Sequence, residues 1–267
     1  MGKLLKYEFR STYRFYAGMY ILAFLASLLY FMIWGHKSNS GAGMISVISL
    51  ISTVVYIITI VTTIKSYSKE LYDNTGYLTF TLPRSGYEIL GTKLISSVVW
   101  LCATSLAIGL IALMYVFIYS RGMGILGNVN IGPIINKSIP YAVTTALLYI
   151  VNTLFLMGMI YFSITVSKIT IRNKKGGKIL GFVIFIILSI VLVLITLWLL
   201  KTFPQSINLN ALSQNGDFKM IAVGNSSSLS VDQSGAHINI ASLIFYIAVF
   251  AGLFSGTGWM LDNSVDL

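Results

Sequence analysis

Apolar residues recur along this chain in long runs, and six of these approach the length of a membrane crossing: Tyr16 to Trp34, Gly43 to Ile64, Leu94 to Ser120, Pro140 to Ser167, Ile179 to Leu200 and Asn239 to Leu261. A helix needs about 20 apolar residues to traverse a hydrocarbon core about 30 Å thick, so each window can cross once. The pattern predicts an all-α, polytopic membrane protein with six transmembrane helices in a single domain over residues 1–267. All four prolines, Pro83, Pro133, Pro140 and Pro204, fall in loops or at a first helical turn, where a missing backbone donor costs little. No window is broken by proline, which weighs against the discontinuous helices of ion-coupled carriers. The first run opens on a bulky Tyr-rich segment and lacks a small-residue cleavage site before Gly35-His36-Lys37, so it is expected to be retained.

Composition agrees with the pattern. With 56% hydrophobic and 10% charged residues, too few polar side chains remain to coat a soluble globule. The net charge of +10 would suggest nucleic acid in a soluble protein. Here the basic residues flank the apolar runs, which points to membrane lipid and disfavours nucleic acid. Counted over alternate connections, Lys and Arg number thirteen on one side and five on the other. That asymmetry predicts both termini in the cytosol. Trp34, Trp198 and Trp259 fall near predicted span ends, where indole rings settle, whereas Trp100 does not fit that rule. Cys102, the single cysteine, lies inside an apolar run and excludes an intrachain disulfide or a thiolate metal cage.

None of the six windows contains an Asp, Glu, Lys, Arg or His, the groups that proton and sodium relays require. His36 and His237 fall in outward connections, so an intramembrane zinc site with two helical His ligands cannot be assembled. Ser255 is separated from His237 by about four to five helical turns, too far for a dyad, and with Gly252-x-x-x-Gly256 it reads as a helix-packing surface. Gly86-Tyr87-Glu88-Ile89-Leu90-Gly91-Thr92-Lys93 inverts the Lys-Thr order of a phosphate loop. The expectation is no catalytic residue, no metal site and no nucleotide site, so energy comes from another chain or from a substrate gradient.

Three segments carry the remaining information. Residues 1–15 read as an amphipathic entry helix at the inner leaflet: Lys3, Lys6, Arg10 and Arg14 share an arc opposite Leu5, Phe9, Thr12 and Tyr16. The cytosolic loop 65–93 mixes charge with aromatics around a Gly turn. That suits a short helix pressed into a groove on another protein, the alternative being a segment buried against its own spans. The 201–238 loop is long, faces outward and is rich in Asn, Ser and Gly, as functional or disordered loops are. Within the spans, Ser46, Ser49, Ser52, Thr53, Tyr56, Thr59 and Thr63 share one face of span two, and Thr145, Tyr149, Asn152 and Ser163 one face of span four. Of these, Ser49, Thr53, Tyr56 and Asn152 are candidate substrate-pathway residues, the alternative being hydrogen bonding between packed helices.

The stretch SYSKELYDNTGYLTFTLPRSGYEILGTKL resembles the loop after the second span of small bacterial ABC-type export permeases. In that family a Glu, a Gly-containing turn, a Thr-Leu-Pro-like segment and a Lys entering the third span follow in order, matched by Glu70, Gly76, Thr81-Leu82-Pro83 and Lys93. The basic start Lys3-Leu4-Leu5-Lys6-Tyr7-Glu8-Phe9-Arg10 is similar to the family's entry helix, whereas the acidic ending lacks its basic tail. The resemblance implies a permease in a bacterial cell membrane, paired with an identical or homologous second permease. Two copies of a separate ATPase subunit would hold the ATP and magnesium. On this basis Lys69, Glu70, Leu71, Tyr72, Gly76, Pro83 and Arg84 are expected to couple the chain to the ATPase, Glu70 pairing with a basic group of that partner while Leu71 and Tyr72 fill an apolar groove. The competing classes are a non-transport scaffold, immunity or signalling protein and, last, an intramembrane enzyme.

Overall fold

A computed structural model of the chain describes residues 2–34, 41–72, 85–122, 131–170, 174–203, 205–208, 220–222, 229–232 and 235–263. These form helices α1 (Gly2–Trp34), α2 (Gly41–Tyr72), α3 (Gly86–Gly122), α4 (Ile131–Thr170), α5 (Lys174–Thr202) and α6 (Ile240–Asn263). Strands β1 (Gln205–Asn208), β2 (Met220–Ala222), β3 (Leu229–Asp232) and β4 (Gly235–Asn239) lie between α5 and α6. Among the described residues, six helices are long and apolar enough to cross a membrane, as the sequence predicts. Their outer faces carry bare Leu, Ile, Val and Phe, among them Leu22, Leu25, Leu106, Leu110, Phe182 and Ile190, which only lipid can solvate at this density.

Residues 2–15, predicted as an entry helix on the leaflet surface, continue into the first span without a break. No proline interrupts the 33 residues of α1, and an unbroken helix of that length is about 50 Å long, well beyond the hydrocarbon thickness. The basic turns are therefore the protruding end of the spanning rod.

The chain falls into two compact units. Unit 1 comprises Met1–Glu70 and Gly91–Asn130, and unit 2 comprises Leu71–Leu90 and Ile131–Leu267. Unit 1 has an apolar core of Ala23, Val55, Ile111 and Tyr115, with Met19, Phe31, Ile51 and Met114 around it. Nearer the Lys-rich end this gives way to aromatic and hydroxyl contacts. Tyr16 stacks on Trp100 at 4.0 Å between ring centroids and shares a hydrogen bond with Thr63, while Thr104 joins Tyr20 at 2.8 Å and Thr59 at 3.0 Å. Trp100, misplaced by the interfacial rule, is thus a packing residue between helices.

In unit 2, Met159, Leu192 and Leu253 form the core, flanked by Phe155, Phe162, Phe185 and Phe245. The start of α3 is held by two acceptors. Ser85 Oγ accepts from the Glu88 N–H at 3.3 Å, and Asp262 Oδ1 at the end of α6 accepts from the Gly86 N–H at 2.5 Å. A carboxylate suits this place because the first N–H groups of a helix lack internal partners and carry its positive dipole end. Gly86 is required for the approach, since a Cβ there would lie 2.6 Å from Leu261 Cβ. Gly258 is likewise filled by the Tyr87 ring, whose hydroxyl donates to the Ser255 carbonyl at 3.3 Å. Packing on α6 therefore runs through Gly258, with Gly256 in ordinary contact with Phe162, while Gly252 faces open space; only half of the expected Gly252/Gly256 surface is used.

The 201–238 segment differs from the loop predicted for it: it contains an antiparallel sheet ordered β2-β1-β4-β3. β3 and β4 pair antiparallel, with Asp232 opposite Gly235 at one end and Leu229 opposite Ile238 at the other. Asn239 closes the sheet onto α6 as its N-cap. Its Oδ1 accepts from the Ser242 N–H at 3.0 Å and its Nδ2 donates to the Phe203 carbonyl at 2.6 Å.

Candidate functional site

The densest charged constellation among the described residues lies in unit 1, where α1, the end of α2 and the start of α3 meet. Lys93 is its centre and is 5% exposed. Its ammonium lies 2.7 Å from Glu8 Oε2 and 2.6 Å from Glu70 Oε1, and it donates to Ser66 Oγ at 3.0 Å. Ser66 in turn donates to Glu8 Oε1 at 2.7 Å. An ammonium has three protons and no acceptor, so Glu8, Glu70 and Ser66 satisfy it completely. The formal charge of the cluster is −1, with most of the area of both carboxylates removed from solvent.

Each helix places its residue by register. On α1, Glu8 falls among Leu5, Phe9, Thr12 and Tyr16, on the face opposite the exposed Lys3, Lys6, Arg10 and Arg14, so burying the apolar face carries the acid inward. On α2, Ser66 and Glu70 stand four residues apart and share a face. Lys93 sits two turns into α3, just before its apolar window, where a long stem can keep its head at the polar margin.

The coupling residues predicted from sequence divide. Lys69 is exposed. Glu70, expected to pair with a basic group of a partner, is paired with Lys93 of its own chain. Leu71 and Tyr72, expected to fill a partner's groove, are 2% and 5% exposed, which is the alternative of burial against the chain's own spans. Tyr72 packs in unit 2: a Cβ on Gly177 would lie 2.6 Å from its hydroxyl oxygen, Ser167 shares a hydrogen bond with it at 3.3 Å, and the Lys168 ammonium stands 5.1 Å from its ring centroid. Ser167 also donates to the Gly177 carbonyl, which joins the end of α4 to the start of α5. Gly76, Pro83 and Arg84 lie outside the described residues.

The pathway candidates divide too. Ser49 and Thr53 are exposed, but their hydroxyls donate at 2.8 Å to the carbonyls of Ser46 and Ser49 in their own helix. Tyr56 is half-buried. Thr59 and Thr63, on the same predicted face, are buried in unit 1, so that face is partly a packing surface. Asn152 is exposed near the middle of its span.

Glu8, Ser66 and Asp262 are the polar contacts that sequence reasoning passed over. A lone acid on the apolar arc of a basic amphipathic helix was the available signal for Glu8. Among the described residues no three His, Cys, Asp or Glu side chains gather as metal ligands. The six apolar helices make this a multi-pass membrane protein. No family model, curated protein or solved structure matches the chain.

Proposed function

We propose that this chain is the permease subunit of an ATP-driven ABC exporter, oriented with its Lys-rich flanks in the cytosol, that moves an amphiphilic substrate such as a peptide, antibiotic or drug outward. The observation that carries this reading is the Glu8–Lys93–Glu70 cluster, which fastens the entry helix to the two helices flanking residues 73–84. A partner that pushes on this connection acts on α2 and α3, and the ion cluster makes their ends and α1 respond as one piece. The absence of Asp, Glu, Lys, Arg and His from the six apolar windows adds support, since it leaves ion coupling without a relay. Docking is then assigned to exposed Lys69 and to residues 73–84, while Glu70, Leu71 and Tyr72 are taken up by contacts within their own chain.

The test is purification from native membranes with a search for a bound ATPase, followed by reconstitution of the pair in liposomes. An Asn74→Cys variant in a Cys102→Ala background should cross-link to the ATPase. Glu70→Gln should leave association intact but reduce substrate-stimulated hydrolysis and export. Recovery of the chain without any ATPase, together with transport unaffected by ATP, would overturn the assignment.

A further inference from the structure

The two sides of the connection 73–84 are built alike. On its entering side Tyr72 lies over Gly177 at the start of α5, where a Cβ would stand 2.6 Å from the tyrosine oxygen. Its hydroxyl shares a hydrogen bond with Ser167 at the end of α4. On its leaving side Tyr87 lies over Gly258 of α6, where a Cβ would stand 2.9 Å from the ring Cγ, and its hydroxyl donates to the Ser255 carbonyl. Each tyrosine occupies space that a side chain on the facing residue would take and that glycine leaves open. Gly86 repeats the device in reverse, letting α6 approach until the Asp262 carboxylate accepts its N–H. Asp262 suits this place and a basic group would not, because α3 presents the positive end of its dipole.

All of these contacts lie within unit 2, which takes in residues 71–90 together with α4, α5 and α6. A few residues further along the same two helices, Glu70 and Lys93 are pinned to each other and to Glu8 within unit 1. The connection 73–84 therefore stands with both feet on α4, α5 and α6, while the spans that continue from it belong to the other unit. Close-packed contacts give little and transmit strain, so a displacement of the connection passes directly into unit 2 and reaches α1 only through the ion cluster. On α6 it is received by a single face: Phe254, whose ring centroid is 6.1 Å from that of Tyr87, then Gly258, Leu261 and Asp262 at helical spacing.

We infer that the Tyr87–Gly258 contact, closed by the Asp262–Gly86 hydrogen bond, is a joint that stays shut through the transport cycle and makes the end of α6 move with the docking connection. Tyr87, Gly258 and Asp262 are then positioning residues for coupling. The inference rests on the exporter reading and adds to it the element that takes up the stroke.

The test uses the full-length chain with its ATPase in liposomes, on a Cys102→Ala background. In Tyr87→Cys/Gly258→Cys the two sulfurs fall within disulfide reach, since the ring Cγ that lies beside position 258 is one bond from the Tyr87 Cβ. Reduced, this variant should bind the ATPase and hydrolyse ATP with little export; oxidised, it should export again, because the bond replaces the joint. Asp262→Ala should likewise keep its ATPase affinity but lose export per ATP hydrolysed by up to about thirtyfold, the upper effect of a lost helix cap, and Asp262→Asn should restore most of it. A general loss of fold would lower ATPase binding as well and would not be repaired by oxidation. The inference is overturned if the pair does not cross-link, if the oxidised form hydrolyses ATP without exporting, or if Asp262→Ala couples as the wild type does. Failure of the unmodified chain to bind an ATPase or to export with one refutes the exporter reading itself, and this role of the joint with it.

Discussion

Replacing Lys93 by Met removes the one cation that holds two carboxylates and a hydroxyl together while keeping a stem of similar length. At the observed 2.6 and 2.7 Å separations, each ion pair has a gross attraction of about 6 kcal/mol at an effective dielectric constant of 20. Desolvation offsets most of this, several kcal/mol per ion, and losing one member of a fully buried pair typically costs about 3–5 kcal/mol. Glu8 and Glu70 keep 15% and 23% of their side-chain exposure, so water recovers part of the loss. The expected cost of Lys93→Met is therefore about 2–4 kcal/mol, read as equilibrium unfolding in mixed micelles.

A second variant separates charge from packing. In Glu8→Gln/Glu70→Gln/Lys93→Met no ion is left behind, and similar volumes remain. Neutral replacement of a whole buried cluster is often close to neutral in stability, so the triple variant should recover at least half of the single variant's loss. If Lys93→Met costs less than about 0.5 kcal/mol, within the range of exposed pairs, the cluster does not hold the three helices. If the triple variant is as unstable as the single one, stability depends on the shape of the Lys93 stem and the electrostatic account fails.

The small residues of α6 give an internal contrast: Gly258→Ala should cost about 1–3 kcal/mol, because its Cβ overlaps the Tyr87 ring. Gly252→Ala, facing open space, should change the unfolding midpoint little or raise it by up to about 1 kcal/mol through helix propensity. Asp262→Ala should lose about 0.5–2 kcal/mol as the Gly86 N–H loses its acceptor, with Asp262→Asn retaining most of it in the same assay. Ser49→Ala and Thr53→Ala should leave stability within about 0.5 kcal/mol, since each hydroxyl bonds its own helix, and a changed substrate preference in these folded variants would return them to the pathway. For topology, single cysteines on a Cys102→Ala background should be labelled by an impermeant reagent in intact cells at Ser228 and not at Asn74, and the reverse pattern would invert the orientation.

The spans were legible because hydrocarbon imposes a coarse requirement, length and apolarity, that a window along the sequence captures directly. The contacts between helices were less so. Lipid solvates Leu and Ile as well as another helix does, so apolar pattern alone does not decide which face packs, and Gly252 and Gly258 look alike until Tyr87 is seen in one of them. Glu70 was expected to pair with a basic group of another chain, whereas its partner in the structure is Lys93, 23 residues on. Sequence spacing carries no signal for a pairing made by the return of the chain. The sheet at 205–239 was hidden for another reason: strands of three to five residues are too short for alternation to register against Asn, Ser and Gly.

A polar side chain in such a protein is most informative when its accounting is completed. Hydroxyls in the spans largely donate to the carbonyl three or four residues before them, as Ser49, Thr53, Thr153 and Ser163 do, and therefore specify little about neighbours. Carboxylates, ammonium groups and carboxamides cannot be satisfied in this way, and their partners are found across helices: Glu8 and Glu70 on Lys93, Asp262 on the start of α3, Asn239 between the exit of α5 and the entry of α6. Each of these contacts fixes a helix end, where the chain leaves the apolar region and backbone groups lack internal partners. Asn152 differs in standing mid-span, exposed, without a hydrogen bond to the other described residues of unit 2.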